Sequence, residues 1–211
     1  FGDLIYDEYL KLNKVPTVNI KSDKYKKILF EFCILYYYWK DLFSKNNIKG
    51  LIVSHTCYFM GIPVRIAISL GIAVYQVNLE GVYFLSKKNI FPYSEFHSYK
   101  DDFEKLDIAT KNNGITKARE RLKLIFEGKT DVDQSYIKNS AYRQKKTPIR
   151  ILGNKSPIKI LIASHSFYDS PHGLGVSLFP DFLEWLEFLG EISNQTDYEW
   201  YIKTHPGIGI L

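Results

Sequence analysis

Two stretches of the sequence place an imidazole just past a short apolar run: Leu51-Ile52-Val53-Ser54-His55-Thr56-Cys57-Tyr58 and Leu161-Ile162-Ala163-Ser164-His165-Ser166-Phe167-Tyr168. A third, Trp200-Tyr201-Ile202-Lys203-Thr204-His205-Pro206, ends in a cation, a hydroxyl and an imidazole. Lysine is a flexible point charge, and histidine is a donor whose charge is tunable near neutrality. Lys203 and His205 therefore suit an anionic ligand such as a diphosphate. Pro206 has no N–H for a continuing ladder, so the chain turns there into a loop. The alternative, a strand end that is polar and binds nothing, stays open.

Between the second histidine and the following helix, Ser164 to Gly173 supplies His165, Ser166, Asp169 and His172 on one connection. A loop of this length in a folded domain is more often functional than idle, and Gly173 and Gly175 let backbone approach a ligand closely. No GxGxxG accompanies them, so the phosphate-cradle reading is suggestive only. His165, Asp169 and His172 match no metal motif, and Asp131-Val132-Asp133 reads as solvated charge in a polar stretch; no metal is expected. His55 precedes Tyr58, Gly61 and Arg65, a group that could line the facing side of a crevice. A histidine at a strand end is more often structural, and the echo at His165 is what raises His55 to a candidate. Asp3 and Asp7 in Gly2-Asp3-Leu4-Ile5-Tyr6-Asp7 lie near a possible binding loop and either could serve as a general base, and Glu80 in Asn78-Leu79-Glu80-Gly81 is a third candidate. For Glu80 the plainer reading is a solvent-facing loop carboxylate. Serine-hydrolase, P-loop and zinc-peptidase motifs do not occur.

The elements that position these residues follow from periodicity. Ile28, Phe32, Leu35, Trp39 and Leu42 form the stripe of a long, half-buried helix over 24–45. Leu51 to Val53 and Ile72 to Val77 read as buried parallel strands, joined by a helix over 64–70 with Pro63 in its first turn and Gly71 as its stop. Residues 100 to 128 read as helix in two pieces broken near Asn112-Asn113-Gly114, and residues 129 to 157 as a polar linker. The pattern then restarts: a strand over 158–163, the Ser164 to Phe179 loop, a helix with Pro180 in its first turn and Phe182, Leu186, Leu189 and Ile192 on its apolar face, and a strand over 198–203. Two βαβ units follow, with ligands expected beyond the carboxyl ends of their strands. The expected division is 1–148 and 149–211, the second domain incomplete. A start at Phe1-Gly2-Asp3 and an end in Gly207-Ile208-Gly209-Ile210-Leu211 read as an excerpt of a longer protein.

Composition bounds the rest. Across 211 residues, 45% are hydrophobic and 24% charged, which excludes disorder and collagen. Lys plus Arg number 28 against 23 acidic residues, a net +5 without a concentrated basic face. The densest basic run, Arg143 to Lys146, lies in the polar stretch, so nucleic acid is not an expected partner. Cys33 and Cys57 lie in apolar surroundings and read as reduced, buried thiols of a cytoplasmic protein. The run from Ile28 to Trp39 is well short of the roughly 20 residues that cross a bilayer. Tyr36, Tyr37 and Tyr38 read as core and rim of their helix.

These motifs together resemble bacterial glycosyltransferases of capsule and surface-polysaccharide biosynthesis. The residues that carry the resemblance are Gly2 to Leu10, Val53-Ser54-His55 with Tyr58, Gly61 and Arg65, His165 to His172, Phe179 to Trp185, and Lys203-Thr204-His205-Pro206. The Lys-x-His-Pro element and the Ser-His loop also look like the nucleotide-diphosphate region of CDP-glycerol glycerophosphotransferases. The resemblance implies an α/β fold of two Rossmann-like domains in the GT-B arrangement, the second truncated here. It implies an inverting, metal-independent transfer without a cofactor, from a nucleotide-sugar donor to a carbohydrate or lipid-linked acceptor. The enzyme would be cytoplasmic, in peripheral contact with the inner face of the membrane. In this reading His165, Ser166, Asp169, His172, Lys203 and His205 hold the donor diphosphate, and Asp7, His55 or Glu80 activates the acceptor. A polyol-phosphate transferase of the same fold and a non-catalytic carbohydrate- or partner-binding module are the rival expectations.

Overall fold

Serine before a run of helix formers is a start signal, and Ser22 acts as one: its hydroxyl accepts the Tyr25 amide at 3.1 Å, satisfying a free N–H of helix α2 (Asp23–Lys45). In this computed structural model, which describes residues 1–78, 81–91, 99–129, 151–175 and 177–205, α2 follows helix α1 (Gly2–Asn13). Ile28 is buried on the expected stripe, and Phe32, Leu35 and Trp39 pack against the core. Tyr37 and Tyr38 face outward rather than lying at the rim, being 68% and 57% exposed. Cys33 is likewise exposed and Cys57 half-buried, which corrects the expectation of two buried thiols. Asp3 and Asp7 lie within α1, not on a binding loop.

Strands β1 (Gly50–Val53) and β2 (Ala73–Val77) pair in parallel, and helix α3 (Gly61–Ser69) crosses between them. This is the expected βαβ unit. A single 3₁₀ turn, Tyr58–Met60, leads into α3. Gly61 is required there, since a Cβ would lie 2.3 Å from the Thr56 carbonyl oxygen. Gly71, at φ 76°, ends the crossover as expected. Ile62, Val64, Ile66, Ala67 and Ile68 form the core with Leu4, Phe43, Val74 and Leu85.

Beside β2 runs β3 (Val82–Leu85), antiparallel, which the sequence reading missed. Asn78 closes the connection: its amide donates to the Gly81 carbonyl and its side chain accepts the Gly81 amide, each at 3.0 Å. A mixed sheet with one packed face explains why β1 and β2 are not buried on both sides. Val74, Gln76 and Leu85 point inward, while Ile52, Tyr75 and Phe84 form an exposed cross-strand row.

A second sheet pairs β4 (Lys159–Ala163) with β5 (Glu199–Lys203), again in parallel, with helix α6 (Phe182–Asn194) between them in sequence. Asp181 caps α6 by accepting the Glu184 amide at 3.0 Å. Pro180 therefore precedes the cap instead of occupying the first turn. Phe182, Leu186, Leu189 and Ile192 are half-buried along the expected face.

The chain divides into two units, one of residues 1–94 and 153–211 and the other of 95–152. The smaller contains helices α4 (Tyr99–Lys105) and α5 (Ile108–Phe126). Their break is at Leu106-Asp107, not at Asn112-Asn113-Gly114. The Asp107 carboxylate accepts the Thr110 amide at 2.9 Å and starts α5. A mid-helix glycine costs only about 1 kcal/mol relative to alanine, too little to break a helix of this length. The expected boundary at 148/149, Asp131-Val132-Asp133 and Arg143 to Lys146 lie outside the described residues. Among the described residues, no helix is long and apolar enough to cross a membrane. The chain is thus a mixed α/β protein.

Candidate functional site

Beyond the carboxyl ends of β4 and β5, the Ser164 amide (3.0 Å) and hydroxyl (3.2 Å) both donate to the Lys203 carbonyl. This keeps the two strand ends in step, so the histidines that follow meet: the His165 and His205 rings stand 5.8 Å apart, centre to centre. His165 also stacks on Phe182 at the start of α6, at 6.4 Å with ring planes 17° apart. Its Nε2 lies 4.0 Å from the Asp169 carboxylate. Lys203, Thr204 and His205 are exposed.

The loop after β4 is held by residues from the first part of the chain. The Tyr58 hydroxyl donates to Asp169 through a short hydrogen bond. Burial and that carboxylate push the phenol far above its usual range. Tyr58 (φ 54°) and Ser170 (φ 42°) both adopt the left-handed conformation that non-glycine residues usually avoid, which concentrates backbone strain on the two sides of this contact. Burial also raises the Cys57 thiol, against the lowering influence of the neighbouring Ser170 hydroxyl.

A cleft of about 620 Å³ opens here, lined by His55, Cys57, Gln76, His165, Asp169 and Ser170 among others. His55 is exposed, with its Nδ1 3.0 Å from the Ser54 hydroxyl. It shares the cleft with His165, as the strand-end echo suggested. Gln76 was not anticipated, although a lone amide in an otherwise apolar strand was a visible signal. It is 1% exposed and donates from Nε2 to the Ser54 carbonyl at 2.9 Å, while its Oε1 has no partner among the described residues. Ser166 is buried too, its hydroxyl likewise without a partner among the described residues, so it lies beneath the loop instead of on its surface.

Asp7 and His172 form a pair of their own. His172 Nδ1 is 2.6 Å from Asp7 Oδ1, and the His172 amide (3.3 Å) and Ser170 hydroxyl (3.1 Å) donate to Oδ2. Asp7 is 1% exposed, so the carboxylate expected to activate an acceptor directly reaches a ligand only through His172. The hydrogen bond that His172 donates to Asp7 raises its pKa above the ordinary value, against the effect of burial. Nearby, Tyr6 donates to Asp181 at 2.5 Å; burial and that carboxylate push the phenol up to about 12. Arg65 grips Asp3 with both terminal nitrogens, one at 2.6 Å. Burial alone would raise the Asp3 pKa, but the guanidinium's hydrogen bonds and charge outweigh it and hold the group at about 2.

The structure thus gathers His55, His165 and Asp169 on one cleft, with His205 beside His165, and pairs His172 with Asp7. Glu80 lies outside the described residues. Among the described residues, no group of three or more His, Cys, Asp or Glu side chains is arranged to hold a metal ion. Comparison of the chain with protein-family models, curated proteins and solved structures finds no match.

Proposed function

We propose that the chain belongs to a glycosyltransferase that moves a sugar from a nucleotide-activated donor to a carbohydrate or lipid-linked acceptor of a surface or capsular polysaccharide. In this reading the two parallel-strand units are the cores of paired Rossmann-like lobes in a GT-B arrangement, and the enzyme works on the cytoplasmic side of the membrane. The observation that carries it is the meeting of His165 and His205, 5.8 Å apart, at the carboxyl ends of adjacent parallel strands. That is where open α/β sheets hold anionic ligands.

When the bond between the anomeric carbon and the diphosphate breaks, negative charge collects on the departing oxygens. His165, His205 and Lys203 supply donors and positive charge to meet it. Loss of one well-placed donor of this kind costs on the order of 10²–10³ in rate. His205→Ala in the full-length protein is therefore expected to lower turnover by about that factor with its fold unchanged. Wild-type turnover in the variant would contradict the assignment. A donor panel with UDP-, GDP-, CDP- and CMP-sugars and CDP-glycerol checks the cargo: transfer from CDP-glycerol alone would replace the sugar by a polyol phosphate. Nucleotide binding without any turnover would mark a binding module.

A further inference from the structure

We infer that His172 is the proton-accepting group of this transfer, positioned by Asp7, and that the cleft it lines seats a carbohydrate acceptor; the inference rests on the transferase reading above. Asp7 comes from α1 and His172 from the loop after β4. The carboxylate is enclosed and uses both oxygens, one on His172 Nδ1 at 2.6 Å and the other on the His172 amide and the Ser170 hydroxyl. It cannot meet a substrate, but it fixes the imidazole from two sides, and the Tyr6 ring packs edge-on at 5.3 Å. With Nδ1 committed to Asp7, Nε2 is the nitrogen that takes up a proton. A carboxylate so placed orients the ring and stabilises the imidazolium that forms.

His172 keeps 22% of its side chain exposed and lines a cleft of about 460 Å³ together with Asp3, Phe91, Gly175, Leu178 and Phe179. Phe179 offers an apolar ring for the C–H face of a sugar. This cleft shares Ser177, Leu178 and Phe179 with a neighbouring one of about 440 Å³ that His165 lines, so the acceptor and donor sides border a common wall. In the transfer, the acceptor hydroxyl gives its proton to His172 Nε2 while its oxygen bonds to the anomeric carbon. The bond from that carbon to the phosphate oxygen breaks, and its electron pair leaves with the nucleoside diphosphate. His172 then releases the proton to water.

The charged groups around His172 are Asp7 in direct contact, Asp3 neutralised by Arg65, and Asp181, which accepts from Tyr6. Because Asp7 favours the imidazolium, turnover should rise with pH through a value above that of ordinary histidine. The test follows nucleoside diphosphate release from UDP-, GDP- and CDP-sugars by the full-length protein across pH, with donor-induced thermal shift alongside. His172→Gln should keep the thermal shift and lose on the order of 10²–10⁴ in turnover. Asp7→Asn should move the rising limb to lower pH. Undiminished turnover in His172→Gln, or an unmoved limb in Asp7→Asn, overturns this inference while leaving the transferase reading intact. If His172→Gln does not fold, the Asp7→Asn limb decides alone. Absence of both thermal shift and turnover in the wild type overturns the reading and the inference together.

Discussion

The crossover helix after β1 buries seven of its nine residues, whereas α6, which follows β4, buries none of its thirteen. Both helices lie in sequence between paired parallel strands, yet the β1–α3–β2 segment is held by apolar packing, whereas the segment after β4 takes polar contacts from α1 and the turn before α3: Asp7 to His172 and Ser170, Tyr6 to Asp181, and Tyr58 to Asp169. The loop that carries His165, Asp169 and His172 is held by these directional bonds together with two aromatic contacts, Phe167 against Phe182 and Trp185 and Tyr168 against the cluster of Ile5, Tyr9, Leu10 and Ile28.

That contrast can be broken most forcefully in α3. Ile62, fully buried, should cost about 2–5 kcal/mol on truncation to alanine. Leu186→Ala on the half-buried face of α6 should cost about 1 kcal/mol. Urea unfolding compares them, and equal losses would erase the distinction between the two segments.

Acid probes the polar side. Asp3, held at about 2 from an ordinary 3.8, contributes stability that is complete above the unfolded value and disappears as pH falls through about 2. Arg65→Ala should weaken this acid dependence in pH-resolved unfolding. His172 acts with the opposite sign. Its raised value gives stability that is full below the ordinary histidine range and fades as pH rises through the folded value, a dependence that Asp7→Asn should abolish in pH-resolved unfolding.

Smaller still, Tyr6→Phe should cost about 1 kcal/mol by removing the hydrogen bond to Asp181. It should also raise hydrogen exchange in the 165–181 loop while leaving α3 unaffected. Loss of protection in α3 would show that the loop supports the core, rather than the reverse.

Local signals carried much of this arrangement. The α2 stripe, the β1–α3–β2 crossover and the β4–β5 pair follow from spacing, from Pro63 and Gly71, and from runs of β-branched residues. Strand ends were legible too, which is why His55 and His165 were placed on one cleft. What escaped the sequence reading was set by distant partners or by competing local chemistry. Asp7 and His172 stand 165 residues apart, and no pattern announces that the buried carboxylate of one accepts from the imidazole of the other. The Asp107 cap overrode the glycine at 114, and the Asn78 turn added an antiparallel strand that bared one face of the sheet. Gln76 was written in plain view as a lone amide in an apolar strand, but only its burial, with no partner for Oε1 among the described residues, gives it interest.

In the proposed transferase, the histidines at the ends of β4 and β5 hold an anionic diphosphate. Calorimetric titration of the full-length protein with UDP, GDP, CDP and CMP tests it directly, repeated on the double variant His165→Ala/His205→Ala. Saturable binding of at least one nucleoside diphosphate, weakened at least about tenfold in the double variant, is the predicted result, equivalent to about 1.4 kcal/mol or more. Binding of none of them, or binding that the double variant leaves unchanged, would contradict it.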